Sequence, residues 1–277
     1  MVLAEFEKDR TIIKNVKNFD LKQTFDCGQA FRWEYLEVKN AWGAVVNNKY
    51  IEVSKPNEDI ILGGVNEELF SSFFSDYFDL GRDYSAIIEE ISADPILKKA
   101  ATFGSGIRIL NQEPWETLCS FIISQNNNIP RIKGIISRLC ENFGEKCENG
   151  YTFPSASKLA DLKPEDLSVL RAGFRAGYII DAAKKVASKE IDLLSLKNTD
   201  ADSAREQLMK IKGVGPKVAD CTLLFGLSHF EAFPKDVWIK RAINDLYGGE
   251  IPKFALKYGG IVQQYIFYYY RDLNGNF

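Results

Sequence analysis

Apolar and polar positions alternate with a period of two through the first sixty-odd residues. In "FRWEYLEV", Phe31, Trp33 and Tyr35 alternate with Arg32 and Glu34, the rhythm of a half-buried strand. In "GAVVNNKYIEV", β-branched runs flank Asn47 and Asn48. Asparagine tolerates the left-handed backbone of a tight hairpin, so this stretch predicts paired antiparallel strands.

From about residue 66 the period becomes helical. After Pro114, the residues Trp115, Leu118, Cys119 and Ile122 recur at helical spacing. Ile129, Ile132, Ile136 and Leu139 form a second stripe beyond the break "SQNNN". "RAGYIIDAAKKVASK" is a further amphipathic stretch, and Ser203 with Glu206 forms a candidate capping box ahead of "QLMKI". A last helix is predicted through "KFALKYGGIVQQYIFYYYRDL". The expectation is an α+β chain, an antiparallel sheet followed by a mostly helical body, without repeats or low-complexity linkers.

Composition narrows the classes of function. With 277 residues the chain can bury one large core or two ordinary ones. No run of about twenty apolar residues predicts a membrane span. The opening "MVLAEFEKDR" lacks the basic-then-apolar order of a secretory signal. Cysteines 27, 119, 140, 147 and 221 are scattered, which reads as reduced thiols in a cytoplasmic protein. His229 has no histidine partner, and Cys140 and Cys147 have no second pair, so no metal site is expected. The net charge of −3 weighs against a nucleic-acid partner. Backbone amides and helix N-termini can nevertheless hold phosphates without changing the charge.

The sharpest local feature is "IKGVGPKVADC", residues 211–221. Leu208 and Ile211 end one helix on an apolar face, and Gly213 and Gly215 permit positive backbone dihedrals in a very short bend. Pro216 suits the first turn of the next helix, where its missing amide is no loss. The amides of Gly213, Val214 and Gly215 would converge outward as an anion site; an ordinary tight corner between helices is the plainer alternative. Lys217 then stands at a helix start, where the dipole disfavours a cation. It is either a solvated or phosphate-binding lysine or an amine nucleophile capable of forming a Schiff base. Asp236, in "FPKDVW", is either a helix N-cap or a carboxylate that stabilises a cationic sugar and shuttles protons.

The hairpin resembles the helix–hairpin–helix motif that grips DNA phosphates. A hairpin lysine followed about twenty residues later by Pro-x-Asp resembles the active site of the helix–hairpin–helix (HhH-GPD) DNA glycosylases. Six stretches in order, "CGQAFRW", "FIISQNNNIPRI", "AGFRAGY", "GVGPKVADC", "FPKDVW" and "QQYIF", resemble the 8-oxoguanine DNA glycosylase family over nearly the whole chain. The endonuclease III branch usually carries a C-terminal four-cysteine cluster, and no cysteine follows Cys221. The resemblance implies a TATA-binding-protein-like sheet domain over 1–105, with attached helices. A helical catalytic domain then covers 106–277, with its hairpin at 208–219. It further implies a bifunctional enzyme that flips out 8-oxoguanine opposite cytosine, releases it through Lys217 and Asp236, and nicks the strand.

Site roles follow from the same resemblance. Gly28 would accept a hydrogen bond from the damaged base through its carbonyl, Cys221 and Phe267 would flank the base, and Gln263 would read its Watson–Crick edge, with Pro234 in the pocket wall. Asn126 would fill the gap left in the duplex, Phe174 would wedge, and Arg131 and Arg175 would read the opposite cytosine. Taken alone, Gly28 could mark a strand bend, Phe267 core packing, Gln263 surface, and the two arginines phosphate contacts. The family's pattern has a tyrosine at Phe174, a histidine at Trp238 and an acidic residue at Tyr270, departures that suggest a bacterial form. The partner implied is double-stranded DNA and the implied state is a monomer. No cofactor is required, although a monovalent cation could bridge the hairpin and a phosphate. The alternatives are a monofunctional glycosylase for another damaged base and a non-catalytic DNA-binding protein.

Overall fold

The computed structural model describes residues 3–275. Six strands form one antiparallel sheet: β1 (Ala4–Glu7), β2 (Arg10–Ile13), β3 (Glu34–Leu36), β4 (Ala41–Val46), β5 (Lys49–Ser54) and β6 (Ile60–Gly63). Their spatial order is β1-β2-β6-β5-β4-β3. The β4–β5 hairpin turns on Asn47 and Asn48, whose φ of 50° and 59° lie in the left-handed region that a two-residue turn demands. Period-two burial holds where expected: Ile51 and Val53 on β5, and Ile60 and Leu62 on β6, are fully buried. Each such side chain contributes about 1.5–3 kcal/mol of apolar burial.

The expected strand at "FRWEYLEV" is shorter than its pattern. Only Glu34–Leu36 pair, and Glu37–Lys39 close into a single 3-10 turn. The three aromatics diverge because this segment passes between two cores. Phe31 meets Phe121 edge to face in the helical body, Trp33 stacks on Phe25 with centroids 4.1 Å apart beneath the sheet, and Tyr35 is half exposed.

Two apolar clusters result. One lies under the sheet, around Phe25, Trp33, Phe74 and Phe78. The other fills the helical half and includes Tyr84, Ile87 and Leu97, so the helices Tyr84–Ile91 and Pro95–Phe103 pack with the body that follows them. At its centre the helix Pro114–Ser124 packs on the helix Pro216–Gly226, with Phe121 stacked on Phe225 at 5.4 Å. The helices Ile129–Phe143 and Arg175–Ala187 surround this pair. Ile132, Ile136 and Leu139 are buried as their spacing predicts.

Three local expectations change. The helix Ala201–Leu208 is capped by Asp200, which accepts from the Ser203 amide at 2.9 Å, and Ser203–Glu206 forms no capping box. Aspartate one turn earlier already satisfies that donor. The final helix is Gly259–Leu273, preceded by a separate 3-10 segment, Lys253–Tyr258. A two-residue-per-strand hairpin, Lys146–Cys147 with Gly150–Tyr151, interrupts the helical half. Among the described residues no helix is long and apolar enough to cross a membrane. His229 is buried, its ring nitrogens bridging the Leu196 carbonyl and Glu231.

Candidate active site

The bend between Leu208 and Pro216 is held from both sides. Leu208, Ile211 and Val214 are buried beneath it, and the Lys212 amide donates to Asp181 at 2.7 Å. Gly213 alone takes a positive φ, 80°, and a Cβ there would lie 2.2 Å from the Tyr178 ring. Gly215 has an ordinary extended backbone, φ −100°, and serves as the N-cap of the helix Pro216–Gly226. The expectation of two left-handed glycines thus reduces to one. The Val214 amide is used internally, donating to the Ile211 carbonyl at 3.0 Å. Among the described residues the Gly213 and Gly215 amides carry no bond to another backbone group.

Proline at the first position of that helix places Lys217 in its first turn, pointing back across the Pro114–Ser124 helix. Its Nζ lies 3.4 Å from Ser124 Oγ and 4.8 Å from the Phe121 ring centre. Cys221 follows one turn later, fully packed, and burial pushes its thiol up to about 11, so it remains neutral at physiological pH. A neutral sulfur can lie flat against a heterocycle without a desolvation penalty.

Asp236 caps the helix Val237–Tyr247, its Oδ1 accepting from the Ile239 amide at 2.8 Å. The N-cap reading is observed, and the residue also lines the cleft beside Lys217. That cleft, about 380 Å³, is walled by Gly28, Asn127, Trp238, Phe267 and Arg271. A recess of about 40 Å³ continues from the same residues, Lys217, Asp236, Gly28 and Phe267, to Cys221, Pro234, Gln263 and Gln264. It has room for a water or two, not for a purine.

Gly28 follows the sheet-side helix Leu21–Asp26 with φ 88°, and the site of its missing Cβ is 3.8 Å from Phe267 Cε1. A side chain there would be strained and would intrude on the pocket. Gln263 is buried, and its Oε1 has no hydrogen-bond partner. Arg271 lies 5.4 Å over the Phe267 ring. Burial holds its guanidinium below the ordinary arginine range, opposed by the charge of Asp236.

The residues expected at the opposite base form a separate group on the rim. Asn126 is left-handed, φ 47°, just beyond the Pro114–Ser124 helix. Arg175 is 3% exposed and spends its donors on backbone: Nε and Nη2 on the Gln125 carbonyl, Nη2 also on Asn126, and Nη1 on Ala172. Of five N–H groups on a guanidinium, one is left. In this geometry Arg175 holds the asparagine loop. Arg131 is exposed, with Nη2 3.5 Å from the Arg171 carbonyl. Phe174 is 57% exposed and packs edge to face on Tyr178.

Sequence reasoning missed Ser124, Gln264 and Arg271. Ser124 borders the conspicuous "QNNN", and Gln264 adjoins Gln263. Their place in the site is visible only once the Gly259–Leu273 helix faces the hairpin.

A hairpin with a lysine at its second helix, a capping aspartate across a cleft and a neighbouring sheet define a helix–hairpin–helix DNA glycosylase. Residues 119–253 match the HhH-GPD superfamily of base excision DNA repair proteins, and residues 11–118 match the 8-oxoguanine DNA glycosylase N-terminal domain. The chain belongs to the 8-oxoguanine DNA glycosylase family, whose members are N-glycosylases and DNA lyases. It is 33% identical over 255 residues to the N-glycosylase/DNA lyase of Saccharomyces cerevisiae, covering 82% of this chain and 68% of that one. The 8-oxoguanine glycosylase/lyase of Clostridium acetobutylicum, bound to double-stranded DNA with cytosine opposite 8-oxoG, superposes with a TM-score of 0.92. That alignment is 42% identical over 98% of both chains. The apo form of the same enzyme gives 0.90 at 43% identity, over 96% of this chain and 98% of that one.

Proposed function

We propose that this enzyme flips 8-oxoguanine out of double-stranded DNA, preferentially opposite cytosine, and removes it through a Schiff base on Lys217. The observation that carries the reading is the convergence of Lys217, Asp236 and the unpartnered Gln263 Oε1 on one recess. A base cannot be attacked inside the duplex, so it must enter such a pocket, and the Phe267 ring would have to move off Gly28 to widen the recess of about 40 Å³ for it.

The unprotonated Lys217 Nζ attacks C1′ of the flipped nucleotide as the C1′–N9 bond breaks, and the base leaves with the bonding pair and takes up a proton. Asp236 stabilises the positive charge that develops on the sugar and assists the proton movements. Ring opening gives the C1′ imine; loss of a C2′ proton then breaks the C3′–O bond and nicks the strand. Gly28, at the pocket mouth, supplies the carbonyl that accepts the extra N7–H of 8-oxoguanine and repels the N7 lone pair of guanine. The amides of Gly213 and Gly215 hold a phosphate beside the lesion. Support for cytosine as the opposite base comes from the Clostridium complex and from exposed Arg131 beside the Asn126 loop.

Borohydride trapping on a duplex with one 8-oxoguanine opposite cytosine tests the mechanism. A covalent band is expected for wild type and none for Lys217→Gln. Base release without a band would establish the monofunctional alternative, with Lys217 as a DNA contact.

A further inference from the structure

On the last helix Phe267 stands four residues after Gln263 and three after Gln264, so its ring neighbours both side chains. Gln264 is 3% exposed, less than Gln263 at 5%, and it too lines the recess. Both Oε1 atoms belong to the few buried polar side-chain atoms without a hydrogen-bond partner among the described residues. A buried acceptor without a donor is unfavourable, whereas methionine or leucine would pack the same volume without that cost. One such amide beside a binding recess marks a ligand contact, and a second on the same recess adds a second contact to the same ligand.

Two unpartnered acceptors on residues lining one recess call for two donors on one ligand. On a purine that pattern occurs where N1–H stands beside an exocyclic 2-amino group. Adenine presents an acceptor at N1, and hypoxanthine has N1–H without the amino group. Elsewhere the recess is lined by Phe121, Phe225, Pro234 and Cys221, by the donor Lys217, and by Asp236, one of whose oxygens is taken by the Ile239 amide.

We propose that Gln264 is a second base-reading residue, its Oε1 accepting from the 2-amino group while Gln263 takes N1–H of the same flipped base. The proposal rests on the excision reading above and refines it: the pocket selects a 2-amino-6-oxopurine, apart from the recognition of N7 at Gly28.

The test is single-turnover excision of 8-oxoguanine and of 8-oxohypoxanthine, each opposite cytosine, by wild type, Gln264→Met and Gln264→Glu. Wild type is expected to favour the 2-amino substrate by roughly tenfold, the scale of one net hydrogen bond. Gln264→Met is expected to lose most of that preference by slowing on 8-oxoguanine alone, and Gln264→Glu, which keeps an acceptor, to retain it. Differences in pairing between the two duplexes cancel, because every protein meets the same pair. A substrate ratio in Gln264→Met equal to wild type would overturn the proposal. Should Gln264→Met not fold, a Gln264→Glu ratio that drops to unity overturns it instead. Wild type inactive on both duplexes would sink the excision reading itself, a different result from an unmoved ratio.

Discussion

The indole of Trp238 meets the ring of Tyr270 edge to face, with centroids 6.4 Å apart and planes at 64°. These are the two positions where the family pattern has a histidine and an acidic residue. In this chain the two positions form an aromatic pair. The Tyr270 hydroxyl donates to Asp245, and Arg241 lies 5.8 Å over the indole, so the pair is braced from both sides. A double-mutant cycle with Trp238→Ala and Tyr270→Ala is expected to give a coupling of about 0.5–1.5 kcal/mol in urea denaturation. Strict additivity would mean that the two rings act independently.

The two hairpin glycines are expected to behave differently. Gly213→Ala forces a Cβ into the Tyr178 ring at a left-handed residue, and a loss of about 1–3 kcal/mol is expected. At Gly215 nothing lies within 4 Å of an added Cβ and φ is ordinary, so Gly215→Ala should shift stability by less than ~0.5 kcal/mol. Thermal melts of both variants decide the point.

Asp236 carries a cap and a chemical role that different substitutions separate. Asparagine keeps the cap, so Asp236→Asn should fold with near-native stability yet excise far more slowly. Asp236→Ala should lose activity and also about 1 kcal/mol of stability. Equal activity in Asp236→Asn and wild type would remove the carboxylate from the chemistry.

Arg175 and Arg131 are also separable. Truncating Arg175 strips donors from the Gln125, Asn126 and Ala172 carbonyls, at an expected cost of about 1–3 kcal/mol, and lysine cannot restore the fork. Arg131→Ala should leave the melting temperature alone and narrow the difference in rate between lesions opposite cytosine and opposite adenine. Excision assays on the two duplexes, run beside melts, read both effects.

Burial of the Cys221 thiol gives a pH dependence of defined sign. Its pKa rises from 9.0 to about 11, so between those values the unfolded chain holds fewer protons than the folded one. Stability must therefore fall as pH climbs from 9 towards 11. Cys27 and Cys140, pushed up to about 12, add to the same slope. Urea midpoints should decline across this window for wild type and more shallowly for Cys221→Ser.

Local chemistry made much of this molecule legible. Asn47–Asn48, Pro114 and Pro216 each dictate a backbone event within a few residues, and each event occurs. The departures arise where distant segments compete for the same group. Phe31, Trp33 and Tyr35 follow one alternating pattern but are claimed by two cores and solvent. The hold of Arg175 on the Gln125 and Asn126 carbonyls is invisible in the sequence, because those carbonyls lie about fifty positions earlier in the chain. Gln264 carries no periodic signal, since its neighbour on the helix already accounts for the polarity of that face.

The ring of Phe267 against Gly28 has a consequence for time rather than for fit. The outer cleft measures about 380 Å³ and the inner recess about 40 Å³. On the proposed reading, a flipped base would reach the recess only once the Phe267 ring, 3.8 Å from the site of the missing Gly28 Cβ, moved aside. Normal guanine vastly outnumbers its oxidised form in any genome. A base that restacks before the ring moves is, on that reading, never tested at Gly28 or Gln263, so selection would begin with residence time in the cleft.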